Sequence, residues 1–245
     1  MNWTFINSGT LSGESNMLLD LKNAMQLSNA LQSKTQYECV FRIYAWDKPT
    51  LSLGKNQVIE KHVQEKCLSL DIPIVHRPTG GRAVLHSNEL TYCITMPCVS
   101  MEDARKAYQD IHEFFLSCLN KLPLSQLEFA KGTLSFHEHY QNMESSACFS
   151  ASARHELTCN GKKLIGSAQR LIDGVLLQHG SLPLDDTYLN IAHILSKHDE
   201  EEKYLRASLS EHSTSLARSL GYSCDFSEIA DIISSAWNKD SFLRI

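Results

Sequence analysis

Residues 73–97, PIVHRPTGGRAVLHSNELTYCITMP, constrain this chain more than any other stretch. An apolar pair, Ile74-Val75, leads into a turn at Pro78-Thr79-Gly80-Gly81. Ala83-Val84-Leu85-His86 follows, and after Ser87-Asn88 the run 90–96 reads as a strand. Two adjacent glycines leave backbone N–H groups open to a ligand and permit positive φ. Arg77 and Arg82 on either side favour a carboxylate or phosphate. Taken alone, the same letters also describe a Gly-Gly hairpin turn with two solvated arginines. The flanking chain has to decide.

Elsewhere the pattern alternates between helix and strand. Residues 3–6 read as a short strand, and Gly9 and Gly13 bracket a loop. Residues 14–31 have helical spacing, with Met17, Leu18, Leu21, Met25 and Leu31 on one apolar face. Strands are expected at 39–46 and 50–53, and helices at 58–68 and 102–119. The second helix buries Ala104, Ala107, Ile111, Phe114, Phe115 and Cys118. Four short strands, 147–149, 156–159, 164–171 and 175–182, come next. Asn160-Gly161 gives a strong hairpin signal between two of them, and Asp173-Gly174 a second. From 185 the chain turns helical, through 188–195, 213–220 and 226–237. The expectation is a single α+β domain over 1–245, with a mixed or antiparallel sheet, flanking helices and a helical C-terminal extension at 196–245.

A net charge of −5 argues against a nucleic-acid-binding protein. No apolar stretch approaches the roughly 20 residues of a membrane span, and the start of the chain lacks a secretory pattern. Eight scattered cysteines without a Cys-x-x-Cys pair suit neither zinc nor a disulfide framework, so a reducing cytoplasm is expected. His137 and His139 could share a strand face, but no third ligand lies near, and no metal site is expected.

Three places could carry chemistry. Cys148 is a thiol among small residues, which taken alone reads as buried. To act as a nucleophile it needs a cation that lowers its pKa. Lys162 and Lys163 follow a hairpin turn and point to opposite faces, so one faces inward beside Gly166 and Ser167. His179 precedes Gly180 at a strand end.

Together, in this order and spacing, these elements resemble the biotin/lipoate ligase and lipoyl transferase superfamily over residues 14–195. The signature Arg-x-Thr-Gly-Gly-x-Ala-Val-x-His stands at 77–86, Gly-Lys-Lys-Leu-x-Gly-Ser-Ala at 161–168, and His-Gly-Ser at 179–181. Asn16 and Asp20 match the family's Asn-Met-x-x-Asp. The chain is most similar to the cysteine-dependent octanoyltransferases whose fold is that of the lipoate-ligase catalytic domain. Features of that kind are Gly-Gly-Arg-Ala-Val-Leu-His, Ala147-Cys148-Phe149 before Lys163, and Ser87 where ligases commonly have Asp.

The resemblance implies an acyltransferase. Octanoate would pass from acyl carrier protein to Cys148 as a thioester, then to a lysine of a lipoyl domain, on glycine-cleavage H protein or E2 subunits. It implies that Lys163 holds the acyl carbonyl and stabilises the thiolate. Thr79, Gly80 and Gly81 would line the acyl head, and Arg77, Arg82 and His86 would shape the mouth. Gly166, Ser167, His179 and Gly180 would complete the substrate site. No cofactor is expected, nor a partner beyond these proteins, and a monomer is expected. Three alternatives stay open: an ATP- and magnesium-dependent lipoate ligase, an amidotransferase drawing on the H protein, and a non-catalytic lipoyl-domain binder. Val84, Leu85, Leu164, Ile165 and Leu176 are candidates for an acyl tunnel.

Overall fold

The computed structural model describes residues 2–130, 156–238 and 242. The first half contains β1 (Trp3–Leu11), α1 (Gly13–Gln32), β2 (Cys39–Trp46), β3 (Thr50–Leu53), α2 (Lys61–Ser69), β4 (Ile74–His76), β5 (Val84–His86), β6 (Glu89–Pro97) and α3 (Met101–Leu119). The remainder contains β7 (Leu127–Phe129), β8 (Leu157–Cys159), β9 (Lys162–Lys163), β10 (Gly166–Ile172), β11 (Val175–Pro183), α4 (Ile191–Leu195), α5 (Asp199–His212), α6 (Leu216–Leu220) and α7 (Phe226–Ala236). A 3-10 turn at Asp186–Asn190 precedes α4. The strand expected at 147–149 and the His137/His139 pair lie outside the described residues.

Alternation along β6 decides the architecture. Leu90, Tyr92, Ile94 and Met96 pack with Ala107, Ile111 and Phe115 of α3 and with Ile229 and Ile233 of α7. Cys93 points the other way, into a cluster with Met17, Ala24 and Leu27 of α1. Period-two side chains buried on both faces place β6 inside a sheet. The order is β1-β2-β6-β11-β10, with β1 parallel to β2 and the other pairs antiparallel. A second sheet, β4-β3-β5, is covered by α2, α4 and α5. A third, β7-β8-β9, is antiparallel. The α+β class with mixed and antiparallel sheets is the one expected.

The buried face of α1 departs from the apolar stripe read from periodicity. Leu18 and Met25 are 64% and 53% exposed, while Asn16, Met17, Asp20, Ala24, Leu27 and Ser28 face inward. Asn16 and Asp20, one turn apart, satisfy the buried Arg42 of β2. Arg42 Nη1 donates to Asp20 Oδ1 at 2.7 Å, Nη2 to Asn16 Oδ1 at 2.5 Å, and Nε to Ser8 Oγ at 2.7 Å. A polar stripe that meets a buried cation scores as surface in any hydropathy count.

Smaller differences have local causes. The loop expected between Gly9 and Gly13 is mostly strand. Gly9 adopts φ +59° where the β1–β2 register shifts, so a bulge, not a loop, accommodates it. The strand expected at 164–171 begins at Gly166 as β10, and Leu164-Ile165 separate it from the two-residue β9 before it. The helix α5 falls inside the helical extension expected at 196–245 but between the helical segments named there, because its buried residues are only Leu205, Ser208 and Leu209.

Removing Arg42 would leave Asp20 buried without its cation. Arg42→Met should lower unfolding free energy by about 3–5 kcal/mol in urea titrations, and the Arg42→Met, Asp20→Leu double variant should lose less.

Candidate functional site

The α1-facing side of the large sheet and the β4-β3-β5 sheet meet at a small pocket of about 40 Å³. Arg77, His86, Gly166, Ser167, His179 and Gly180, all named from the sequence, line it together with Trp46 and Val84. Thr79 reaches it through a 2.5 Å hydrogen bond to His179 Nε2. Gly80, Gly81, Arg82 and Lys163 do not line it, and Cys148 lies outside the described residues. Of the acyl-tunnel candidates, Val84 lines the pocket, while Leu164, Ile165 and Leu176 belong to the core on the α3 side.

Arg77 is 5% exposed, and its guanidinium reaches backbone carbonyls and the Ser52 hydroxyl. Its Nε donates to Gly80 O at 3.1 Å, Nη2 to Arg82 O at 2.5 Å and Nη1 to Ser52 O at 3.1 Å. It therefore clamps the glycine loop as well as lining the pocket. Gly81 sits at φ +95°, which a side chain would resist. Gly54 packs so closely that an added Cβ would lie 2.0 Å from Gly81 O.

His86 is stacked on Trp46 with ring centroids 4.0 Å apart. Its Nδ1 faces Glu89 Oε1 at 2.8 Å and its Nε2 faces Ser52 Oγ at 2.7 Å. Glu89 also accepts from Trp46 Nε1 and from Thr91. Burial raises the Glu89 carboxyl's pKa, but the charge and hydrogen bond of His86, helped by Thr91, outweigh it and hold the group below its ordinary value. The chain Arg77–Ser52–His86–Glu89 thus ties the glycine loop to the pocket wall.

His179 stands between Thr79 and Asp20, with Nδ1 3.6 Å from Asp20 Oδ2. Burial lowers its pKa, and Asp20 opposes that only in part. In the neutral tautomer that keeps its proton on Nδ1, beside Asp20, Nε2 would accept from the Thr79 hydroxyl; in the other tautomer it would donate to it.

Gly180 is glycine because of what crosses over it. An added Cβ would lie 2.5 Å from both Ser167 Oγ and Tyr92 Cε1. Those two side chains are joined by a 2.7 Å bond between Tyr92 Oη and Ser167 Oγ, and His112 Nε2 lies 3.0 Å from the same Oγ. Gln178 Nε2 donates to Tyr92 Oη and Gln169 Nε2 to Gln178 Oε1, each at 2.7 Å. The residues of the two motifs, on neighbouring strands, therefore share one hydrogen-bonded row.

Lys163 is 3% exposed and pairs with Glu156 at 2.9 Å. Burial works against thiolate formation at several of the described cysteines. Burial pushes Cys39 up to about 12 and Cys118 up to about 11. Burial also raises Cys93, with Asp20 adding to it, and Cys98. Cys159 is buried, with its thiol on Ser125 O. Among the described residues no group of three or more metal-binding side chains occurs, and no helix is long and apolar enough to cross a membrane.

The family described as lipoyl protein ligase A/B catalytic domain matches residues 20–238. The chain belongs to that family. Octanoyltransferase LipM of Clostridioides difficile is 36% identical over 188 residues, covering 75% of this chain and 66% of that protein. LipM of Bacillus subtilis is 38% identical with the same coverage, and LipM of Kyrpidia tusciae is 34% identical over 87% of this chain and 78% of its own length. The chain thus spans just under two thirds of the first two relatives. A bipartite lipoate protein ligase of Thermoplasma acidophilum, solved with its E2 lipoyl domain, superposes with a TM-score of 0.67 at 17% identity, covering 96% of this chain and 82% of that one. An ATP-bound lipoate-protein ligase A gives 0.63 at 17% identity, over 96% and 83%. At that identity the two structures establish the lipoyl-ligase fold alone.

Within this lipoyl-ligase domain, sequence reading missed Ser52, Gly54, Trp46, Glu89, His112 and Glu156. None stands in a recognisable motif, and Glu89 and Ser52 carry signal only as polar residues inside strands. Gly54 and Gly80 flank the same loop with opposite tolerance, since nothing lies within 4 Å of a Cβ at Gly80. Gly54→Ala should lower stability by about 1–3 kcal/mol, whereas Gly80→Ala should change it by less than about 0.5 kcal/mol. Paired urea titrations check both.

Proposed function

We propose that the protein is an octanoyltransferase of protein lipoylation, moving an octanoyl group through an enzyme thioester to a lipoyl-domain lysine. The observation that carries this reading is the 34–38% identity to LipM octanoyltransferases over a segment that contains all three motifs. Val84, Trp46 and Met17 give the pocket an apolar wall of the kind an acyl chain packs against.

In this reading the Cys148 thiolate attacks the thioester carbonyl of octanoyl-acyl carrier protein. The new C–S bond forms as the carrier's thiolate leaves and takes up a proton. The neutral ε-amine of the acceptor lysine then attacks the enzyme thioester. It loses a proton as the C–N bond forms, and the Cys148 thiolate departs. Lys163 supplies the positive charge near the thiolate and the developing oxyanion. The raised pKa values of the buried described thiols support assigning the nucleophile to Cys148 rather than to Cys93 or Cys98. No ATP, magnesium or other cofactor enters the reaction. The donor is acyl carrier protein, the acceptors are lipoyl domains of the H protein and E2 type, and the enzyme works as a cytoplasmic monomer with residues 1–245 as one catalytic domain.

Intact-protein mass spectrometry after mixing with octanoyl-acyl carrier protein, without ATP, tests this. The expected result is a mass gain of one octanoyl group that Cys148→Ala abolishes. Acylation of a lipoyl domain only when ATP and free octanoate are supplied would replace the transferase with a ligase.

A further inference from the structure

We propose that Glu156 is the positioning residue for Lys163, fixing where its ammonium stands during acyl transfer. The inference deepens the octanoyltransferase reading and rests on it.

Hairpin register puts the two side chains together. Asn160 and Gly161 take φ of +51° and +74°, closing a tight turn between β8 and β9. Thr158 then lies opposite Lys163, and Cys159 opposite Lys162. Glu156 is two residues from Thr158 and so shares its face, which makes Glu156 and Lys163 diagonal cross-strand neighbours. The same register turns Lys162 the other way, where its Nζ donates to Ser210 O at 2.7 Å. Of the two lysines left open by the sequence, Lys163 is therefore the inward one.

Both backbones are pinned. Ala130 N donates to Glu156 O at 2.8 Å, and Thr214 N donates to Lys163 O at 2.9 Å. The side chains are 2% and 3% exposed, so water does little for either charge. An ammonium in that setting keeps its proton only beside an anion, and removing one partner of such a pair strands the other. Lys163 itself does not line the pocket, but Gly166, three residues further along the chain, does.

A carboxylate fixed in this way sets the direction of the lysine's N–H groups, and a misplacement of about 1 Å can cost about 100-fold in rate. Glu156→Asp keeps the charge but withdraws the carboxylate by one methylene. Single-turnover acylation by octanoyl-acyl carrier protein should then fall about 100-fold under conditions where the urea titration shows the variant fully folded, with KM for the carrier unchanged. Glu156→Gln should lose both acylation and stability. Acylation by the Asp variant within about two-fold of wild type, a rise in KM alone, or activity lost only in step with unfolding would overturn the assignment. The wild-type control separates this from the wider reading. If wild type forms no acyl-enzyme and needs ATP, the transferase reading falls. The same Asp comparison in the ATP-driven reaction then decides Glu156 by itself.

Discussion

Asp20 on α1 and Arg42 on β2 stand 2.7 Å apart with 0% and 2% of their side chains exposed. The pocket depends on this contact. Asp20 faces the pocket histidine His179 with the same oxygen that accepts from Tyr44. His179 in turn holds Thr79 of the glycine loop. The pair therefore seats α1 against the sheet, aligns the His179 ring and fixes one end of the loop. An ion pair between two burial-prone elements is weak evidence for stability in itself. Its value here lies in geometry, because an apolar replacement would leave His179 without the carboxylate beside Nδ1.

A second polar chain anchors the loop from the opposite side. Arg77, Ser52, His86 and Glu89 run from the Gly80 and Arg82 carbonyls to the wall of Trp46. The loop is thus held by side chains from both sheets. Arg77, which the sequence suggested as a cation for the substrate's mouth, donates to Gly80 O, to Arg82 O and to both the backbone and the side-chain oxygen of Ser52. Its charge serves the loop's backbone first. The Tyr92–Ser167–His112 row does the same for β10 and β11.

Much of this was legible in the sequence, for physical reasons that can be named. Strands β6 and β11 are runs rich in strand-forming residues bounded by turn residues, and Asn160-Gly161 is a strong tight-turn signal, so the hairpin that carries Lys163 was readable. Each of the three motifs, at 77–86, 161–168 and 177–181, contributes residues to one pocket. Three kinds of information were out of reach. Hydropathy could not show that the inward stripe of α1 is polar, because Asn16 and Asp20 become buried only through Arg42 on a strand 22 residues or more away. Close approach of Gly54 to Gly81 O is a tertiary fact without a local signature. The choice between Lys162 and Lys163 depends on hairpin register, and the structure supplies that.

The central claim is that octanoate rests on the enzyme between donor and acceptor. Exchange of label tests it most directly. Octanoyl-acyl carrier protein is mixed with isotopically labelled carrier thiol and enzyme, with neither lipoyl domain nor ATP present. A ping-pong transferase predicts that octanoate scrambles onto the labelled carrier, because the first half-reaction runs reversibly without an acceptor. Absence of exchange from an enzyme that is active once a lipoyl domain is added would contradict a covalent octanoyl-enzyme.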